Sequence, residues 1–232
     1  MSAQNIKKDL KKLENKKQAK ILQGFFKTGK GQYGEGDVFL GIKVPVQRTV
    51  AIKYKDLPLK EIKQLLQSKI HEHRLVALLI LVNQFERNIE KEKIFNFYLK
   101  NAKNVNNWDL VDLSAPYIVS KYLFDKKKDI LYKLAKSKNL WERRISILGT
   151  FYSIRNGQFK DALKIFEMHL KDNHDLIHKA VGWMLREIGK KDQKTLETFL
   201  KKHYKNMPRT MLRYSIERLP ETKRKAYLNG KI

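Results

Sequence analysis

Apolar residues recur at three- and four-residue intervals along most of this 232-residue chain. Ile6, Leu10 and Leu13, then Ile21, Leu22, Phe25 and Phe26, predict an amphipathic first helix with a lysine-rich outer face. A glycine-rich stretch from Thr28 to Gly41 interrupts the pattern, and from Val44-Pro45 onward the helical period resumes with few Gly or Pro. No convincing run alternates with a period of two, so the predicted fold class is all-α.

Within the helical region one supersecondary unit recurs. Its second helix is predicted to open near His71-Glu72-His73-Arg74, Trp108-Asp109, Trp141-Glu142-Arg143-Arg144, Leu176-Ile177-His178 and Pro208-Arg209. These starts lie roughly 33 to 36 residues apart, the range of two-helix solenoid repeats. More polar helices precede them, at Lys91 to Asn101, Lys126 to Ala135 and Phe159 to Leu170. The expectation is a single domain over residues 1–232, an α-solenoid of HEAT-like repeats, curved, with its second helices lining a basic concave face.

A repeat of that length places four distant side chains in one register. Trp108 and Arg144 are 36 positions apart, and Asp112 sits one helical turn beyond Trp108. Trp183 follows Asp112 after 71 positions, two steps of about 35. Asn107 is a natural helix N-cap and Asp109 suits a first turn, so both have structural explanations. Asp112 has none of that kind: it is either one half of a surface ion pair with Arg144 or an acid used in chemistry. Trp183 and Arg186 are neighbours on one helix face, and Lys179, in the register of Trp108 and Arg144, extends a basic row of Arg144, Lys179 and Arg213 suited to phosphates.

Composition sharpens the choice of partner. The chain carries 50 Lys and Arg against 24 Asp and Glu, a formal charge of +26, spread along its whole length. Nucleic acid is the commonest polyanion to attract such a protein; an anionic membrane surface is the competing partner, and a codon bias toward lysine the neutral explanation. The absence of cysteine excludes disulfides and thiolate metal sites. Residues 1–20 lack the apolar core of a signal peptide, and Leu75 to Val82 is too short to span a bilayer, so a cytoplasmic protein with no membrane partner is expected.

Two motifs invite chemistry and do not sustain it. Gly29-Lys30-Gly31-Gln32-Tyr33-Gly34 matches a dinucleotide-binding turn, but a helix precedes it and Glu35-Gly36-Asp37 puts negative charge where phosphate would sit. An irregular loop using Gly for positive φ is expected, with close approach to a DNA backbone as the alternative. His174 and His178 have the spacing of a zinc half-site without a third ligand, and His71 and His73 are equally isolated; solvated or capping histidines are expected, and no metal.

Taken together, Lys27-Thr28-Gly29, Gly34-Glu35-Gly36-Asp37, Phe39-Leu40-Gly41, Val44-Pro45, Asn107 to Asp112, Trp141-Glu142-Arg143-Arg144 and Gly182 to Arg186 resemble the AlkD-type HEAT-like repeat DNA glycosylases of the DNA alkylation repair enzyme family. The resemblance runs from about Lys27 to Arg186. It implies hydrolysis of the N-glycosidic bond of cationic alkylated purines, chiefly N3-methyladenine and N7-methylguanine, in duplex DNA, without flipping the base into a pocket. It implies Asp112 as the catalytic carboxylate, Trp108 and Trp183 as aromatic walls beside the lesion, and Arg144 as the active-site arginine, with Arg143 as the alternative. Arg186 would contact the DNA backbone, joined by Lys179 and Arg213 from the basic row and by Arg143. The resemblance implies no metal or cofactor, and a monomer is the default for a solenoid that tracks a duplex. Apart from the resemblance, the same residues suit a non-catalytic solenoid that grips DNA or RNA, or one that binds protein.

Overall fold

The computed structural model describes residues 1–87 and 90–232. The described residues form 16 α-helices and two short 3-10 turns, with one isolated parallel β-bridge, Val38 to Ile70, and no strand. The fold is all-α, a succession of helix pairs of the HEAT-like α-solenoid class.

The chain divides into two compact units, Met1–Ser114 and Ala115–Ile232. The first holds α1 (Ala3–Lys12), α2 (Lys16–Phe25), α3 (Val44–Lys53), α4 (Leu59–Leu66), α5 (His71–Arg87), α6 (Lys91–Lys100) and α7 (Trp108–Asp112). α5 is its centre: every residue from His71 to Leu81 is buried, and α3 and α4 pack against it. The second unit holds α8 (Val119–Tyr122), α9 (Asp129–Ala135), α10 (Leu140–Leu148), α11 (Phe151–Arg155), α12 (Lys160–Met168), α13 (Asp175–Lys191), α14 (Gln193–His203), α15 (Arg209–Ser215) and α16 (Glu221–Leu228). There α13 is central and packs against α10, α11, α14 and α15.

The five predicted second-helix starts fall within a residue of the observed starts of α5, α7, α10, α13 and α15. Side-chain caps explain part of that agreement: Asn139 accepts from the backbone N–H groups of Trp141 and Glu142, and His174 from that of Leu176. One expectation needs correction: the amphipathic N-terminal stretch is two helices, because Asn15 caps the second with its side chain on Gln18 N. Two of the second helices are short: α7 ends at Asp112, and α10 gives way to α11 at Gly149-Thr150.

The glycine-rich stretch is an irregular loop in which Gly31, Gly36 and Gly41 have φ of 75°, 83° and 82°. Gly41 is confined twice over, since a Cβ there would lie 2.2 Å from Asn15 O and 2.5 Å from Ala19 N. The fully buried Glu72 carboxylate ties the end of this loop to α5 by accepting from Leu40 N, Gly41 N and Ile42 N at 2.9, 2.8 and 3.2 Å.

Candidate active site and DNA-contact residues

In the first unit the site is built on α7. Asn107 is wholly buried and caps the helix, its Oδ1 accepting from Trp108 N at 2.8 Å while its Nδ2 donates to Asp37 Oδ2 at 3.3 Å. Leu110 and Val111 turn into the core, which leaves Trp108 and Asp112, one turn apart, both half-buried. Behind Asp112 the fully buried Tyr98 hydroxyl bonds Ser114 Oγ at 2.9 Å. Burial drives the Tyr98 phenol well above its ordinary pKa and the Asp112 charge pushes the same way, so Tyr98 stays neutral.

Trp108 heads a column of rings. Its indole stacks on Phe26 at 5.2 Å between centroids, Phe26 on Phe39 at 5.0 Å, and Phe39 on the His71 imidazole at 4.5 Å, with successive planes 18° to 22° apart. Phe25 meets the same indole edge-on at 5.9 Å and is 61% exposed, so it flanks the site and is not part of the core.

The far end of the column is charged. His71 lies buried between two aspartates, its Nε2 2.8 Å from Asp109 Oδ2 and its Nδ1 3.2 Å from Asp37 Oδ2. Arg74 Nη2 donates to Asp37 Oδ1 at 2.7 Å. Burial opposes the imidazolium, but Asp109 and Asp37 outweigh it and raise the His71 pKa to about 9. Burial likewise raises Asp37, and its bond to His71 with the Arg74 charge reverses this, holding it below the usual carboxylate range. Thus Asp109 does more than decorate a first turn, and His71 is neither solvated nor a helix cap. His73, two residues on, bonds Ser68 Oγ at 2.9 Å, and burial lowers it to about 4, so it is neutral. These buried partners were missed in the sequence, where the Gly-Asp of the loop and the opening of α5 were the only signal.

In the second unit α10 and α13 carry the remaining candidates. Arg144 is 4% exposed and its Nη1 donates to Leu176 O. Its neighbour Arg143 is a brace: Nε donates to Asp172 Oδ2 at 2.7 Å, and Nη1 to Ser137 O and Lys138 O at 3.1 and 3.0 Å. His174 caps α13, its Nδ1 accepting from Leu176 N at 3.1 Å, and His178 Nε2 bonds Asp172 O, the structural duties expected of this pair. Among the described residues no cluster of three His, Cys, Asp or Glu has metal-holding geometry.

Trp183 is half-buried on α13, its ring 6.2 Å from Phe151. Gly182 before it brings α15 close: a Cβ there would sit 2.4 Å from Tyr214 Cβ and 2.7 Å from Met211 O. On the same helix Lys179 pairs with Asp175 at 2.6 Å, and Arg186 pairs with Glu217. Arg213 is exposed on α15. The structure therefore brings Trp108 together with Asp112 in the first unit, and sets Lys179, Trp183 and Arg186 on one helix, with Arg144 hydrogen-bonded to that helix, in the second.

The model of the DNA alkylation repair enzyme family matches residues 6–219. The chain belongs to that family. Membership supports a role in DNA repair, as an enzyme with DNA as its partner. Among solved structures, a predicted DNA alkylation repair enzyme from Enterococcus faecalis is similar with a TM-score of 0.68 and 17% identity, over 90% of this chain and 97% of the other. At that identity the likeness speaks for the shared fold. No curated protein sequence matches the chain. All the site residues named above, from Trp108 to Arg213, lie inside the segment that matches the DNA alkylation repair enzyme family.

Proposed function

We propose that this family member is a monofunctional DNA glycosylase that hydrolyses the N-glycosidic bond of cationic alkylated purines, N3-methyladenine and N7-methylguanine, in duplex DNA, as a monomer without metal or cofactor. The observation that carries the reading is the pair on α7: a half-buried carboxylate, Asp112, one turn from a half-buried indole, Trp108, on a helix whose other side is locked into the core.

Alkylation at N3 or N7 makes the purine a cation and a good leaving group, so no general acid is needed. The C1′–N bond breaks with its electron pair going to the purine, which departs neutral. Positive charge then develops on the sugar, where the Asp112 carboxylate stabilises it and orients the water whose oxygen bonds to C1′ and whose proton is lost. Indole faces attract cations by about 0.5–2 kcal/mol each, which gives Trp108 and Trp183 their role beside the lesion. The base stays out of any enclosing pocket. Arg144 serves the lesion strand and Lys179, Arg186 and Arg213 serve the backbone, while Arg143 stays the brace of Asp172 and of the Ser137 and Lys138 carbonyls.

The test is release of methylated base from methylated duplex DNA, followed chromatographically. Wild type is expected to release it and Asp112→Asn to release none while keeping its helical spectrum and its affinity for undamaged duplex. No release by wild type overturns the proposal.

A further inference from the structure

The second unit contains an open cleft of about 670 Å³ between α13, α15 and α16. Four cations line it, Lys179 on α13, Arg209 and Arg213 on α15 and Arg224 on α16, against two carboxylates, Asp175 and Glu217. Among the described residues, Arg213 and Arg224 have no carboxylate within ion-pair distance. The Arg209 guanidinium is anchored at one edge by donation from Nη1 to Leu228 O at 2.7 Å, which fixes its direction without neutralising it. The cleft is therefore a basin of excess positive charge that the protein's own acids only half fill.

Both acids sit where an incoming anion would. Asp175 holds Lys179 at 2.6 Å with the two side chains 54% and 39% exposed, and Glu217, 49% exposed, holds Arg186 from the rim. The Lys179–Asp175 pair, open on both sides, is bound weakly and exchanges readily for another oxyanion, whereas in the second pair only Glu217 is open and Arg186 is 19% exposed. The Arg186 Nε is buried and without a hydrogen-bond partner, so Glu217 engages only part of that guanidinium.

We propose that this cleft is a phosphodiester clamp for undamaged duplex backbone, in which Asp175 and Glu217 act as internal stand-ins that the phosphate displaces from Lys179 and Arg186, while Arg209 and Arg224 supply new contacts. The proposal rests on the reading that duplex DNA is the substrate. It assigns a place to two arginines that have no part in the chemistry and gives two acids an inhibitory role. Charge complementarity selects a polyanion, and the cleft's size admits a phosphate with its flanking sugars.

Binding of undamaged duplex, followed by fluorescence anisotropy across a salt series, decides the matter. Each phosphate contact contributes about 0.9 to the slope of log K against log salt, so Arg209→Gln with Arg224→Gln is expected to flatten that slope by about 1.8. Glu217→Gln is expected to tighten binding by about three- to tenfold at low salt, since one competitor is gone. Misfolding cannot imitate a gain in affinity. An unchanged slope in the double variant, or unchanged or weaker binding by Glu217→Gln, overturns the clamp. So does a defect confined to vesicles of phosphatidylglycerol with duplex binding intact, which would assign the cleft to a membrane. Because the duplex is undamaged, the expected shifts without base release by wild type would support the clamp and overturn only the glycosylase reading.

Discussion

The two units handle charge in opposite ways. In the first, Arg74, Asp37, His71 and Asp109 form a chain of ion pairs in which each side chain is less than a tenth exposed. In the second, Lys179–Asp175 and Arg186–Glu217 lie partly open to solvent. Buried pairs are costly to break because each loss strands a charge in a medium that cannot solvate it, so they hold geometry. Open pairs are weak, so they can be traded for a ligand. The first unit thus fixes the helix that presents Trp108 and Asp112, whereas the second leaves cations in pairs that a ligand can open.

That contrast breaks first at Asp109. Asp109→Ala leaves the His71 imidazolium facing one aspartate instead of two and is expected to cost about 3–5 kcal/mol of stability, measured by denaturant unfolding. A cost under about 1 kcal/mol would place this pair with the surface ones. A second, smaller effect concerns pH. His71 is protonated more readily folded than unfolded, so its contribution is complete below about pH 6.5 and is lost as pH rises through about 9. Wild-type stability should therefore fall across that window more steeply than that of His71→Gln, and parallel curves would refute the buried imidazolium. The smallest effect belongs to the second unit: Asp175→Asn should change stability by about 1 kcal/mol or less, and high salt should erase even that.

What could be read from the sequence follows the reach of each interaction. Helix starts were legible because caps act over two or three residues, as Asn139 and His174 show. The break at Asn15 was hidden because the lysine-rich amphipathic pattern continues on both sides of it. Asp37 and His71 were opaque for a different reason. Periodicity counts both as surface residues, and their partners lie 34 or more positions away, so only tertiary structure reveals the pairing. Trp108 and Asp112 stood out because they share one turn of one helix; Phe25 did not, since its neighbour Trp108 is 83 positions downstream.

The contact at Gly182 has a bearing on how such a chain can drift through time. There α13 and α15 meet with the backbone carbonyl of Met211 and the first carbon of the Tyr214 side chain against a bare Cα. The joint is made by a missing side chain, while Val181, Met184, Leu185 and Met211 around it are fully buried and must keep their fit. Any side chain at this one position would wedge the two helices apart, so the seam has no tolerance for growth at its centre.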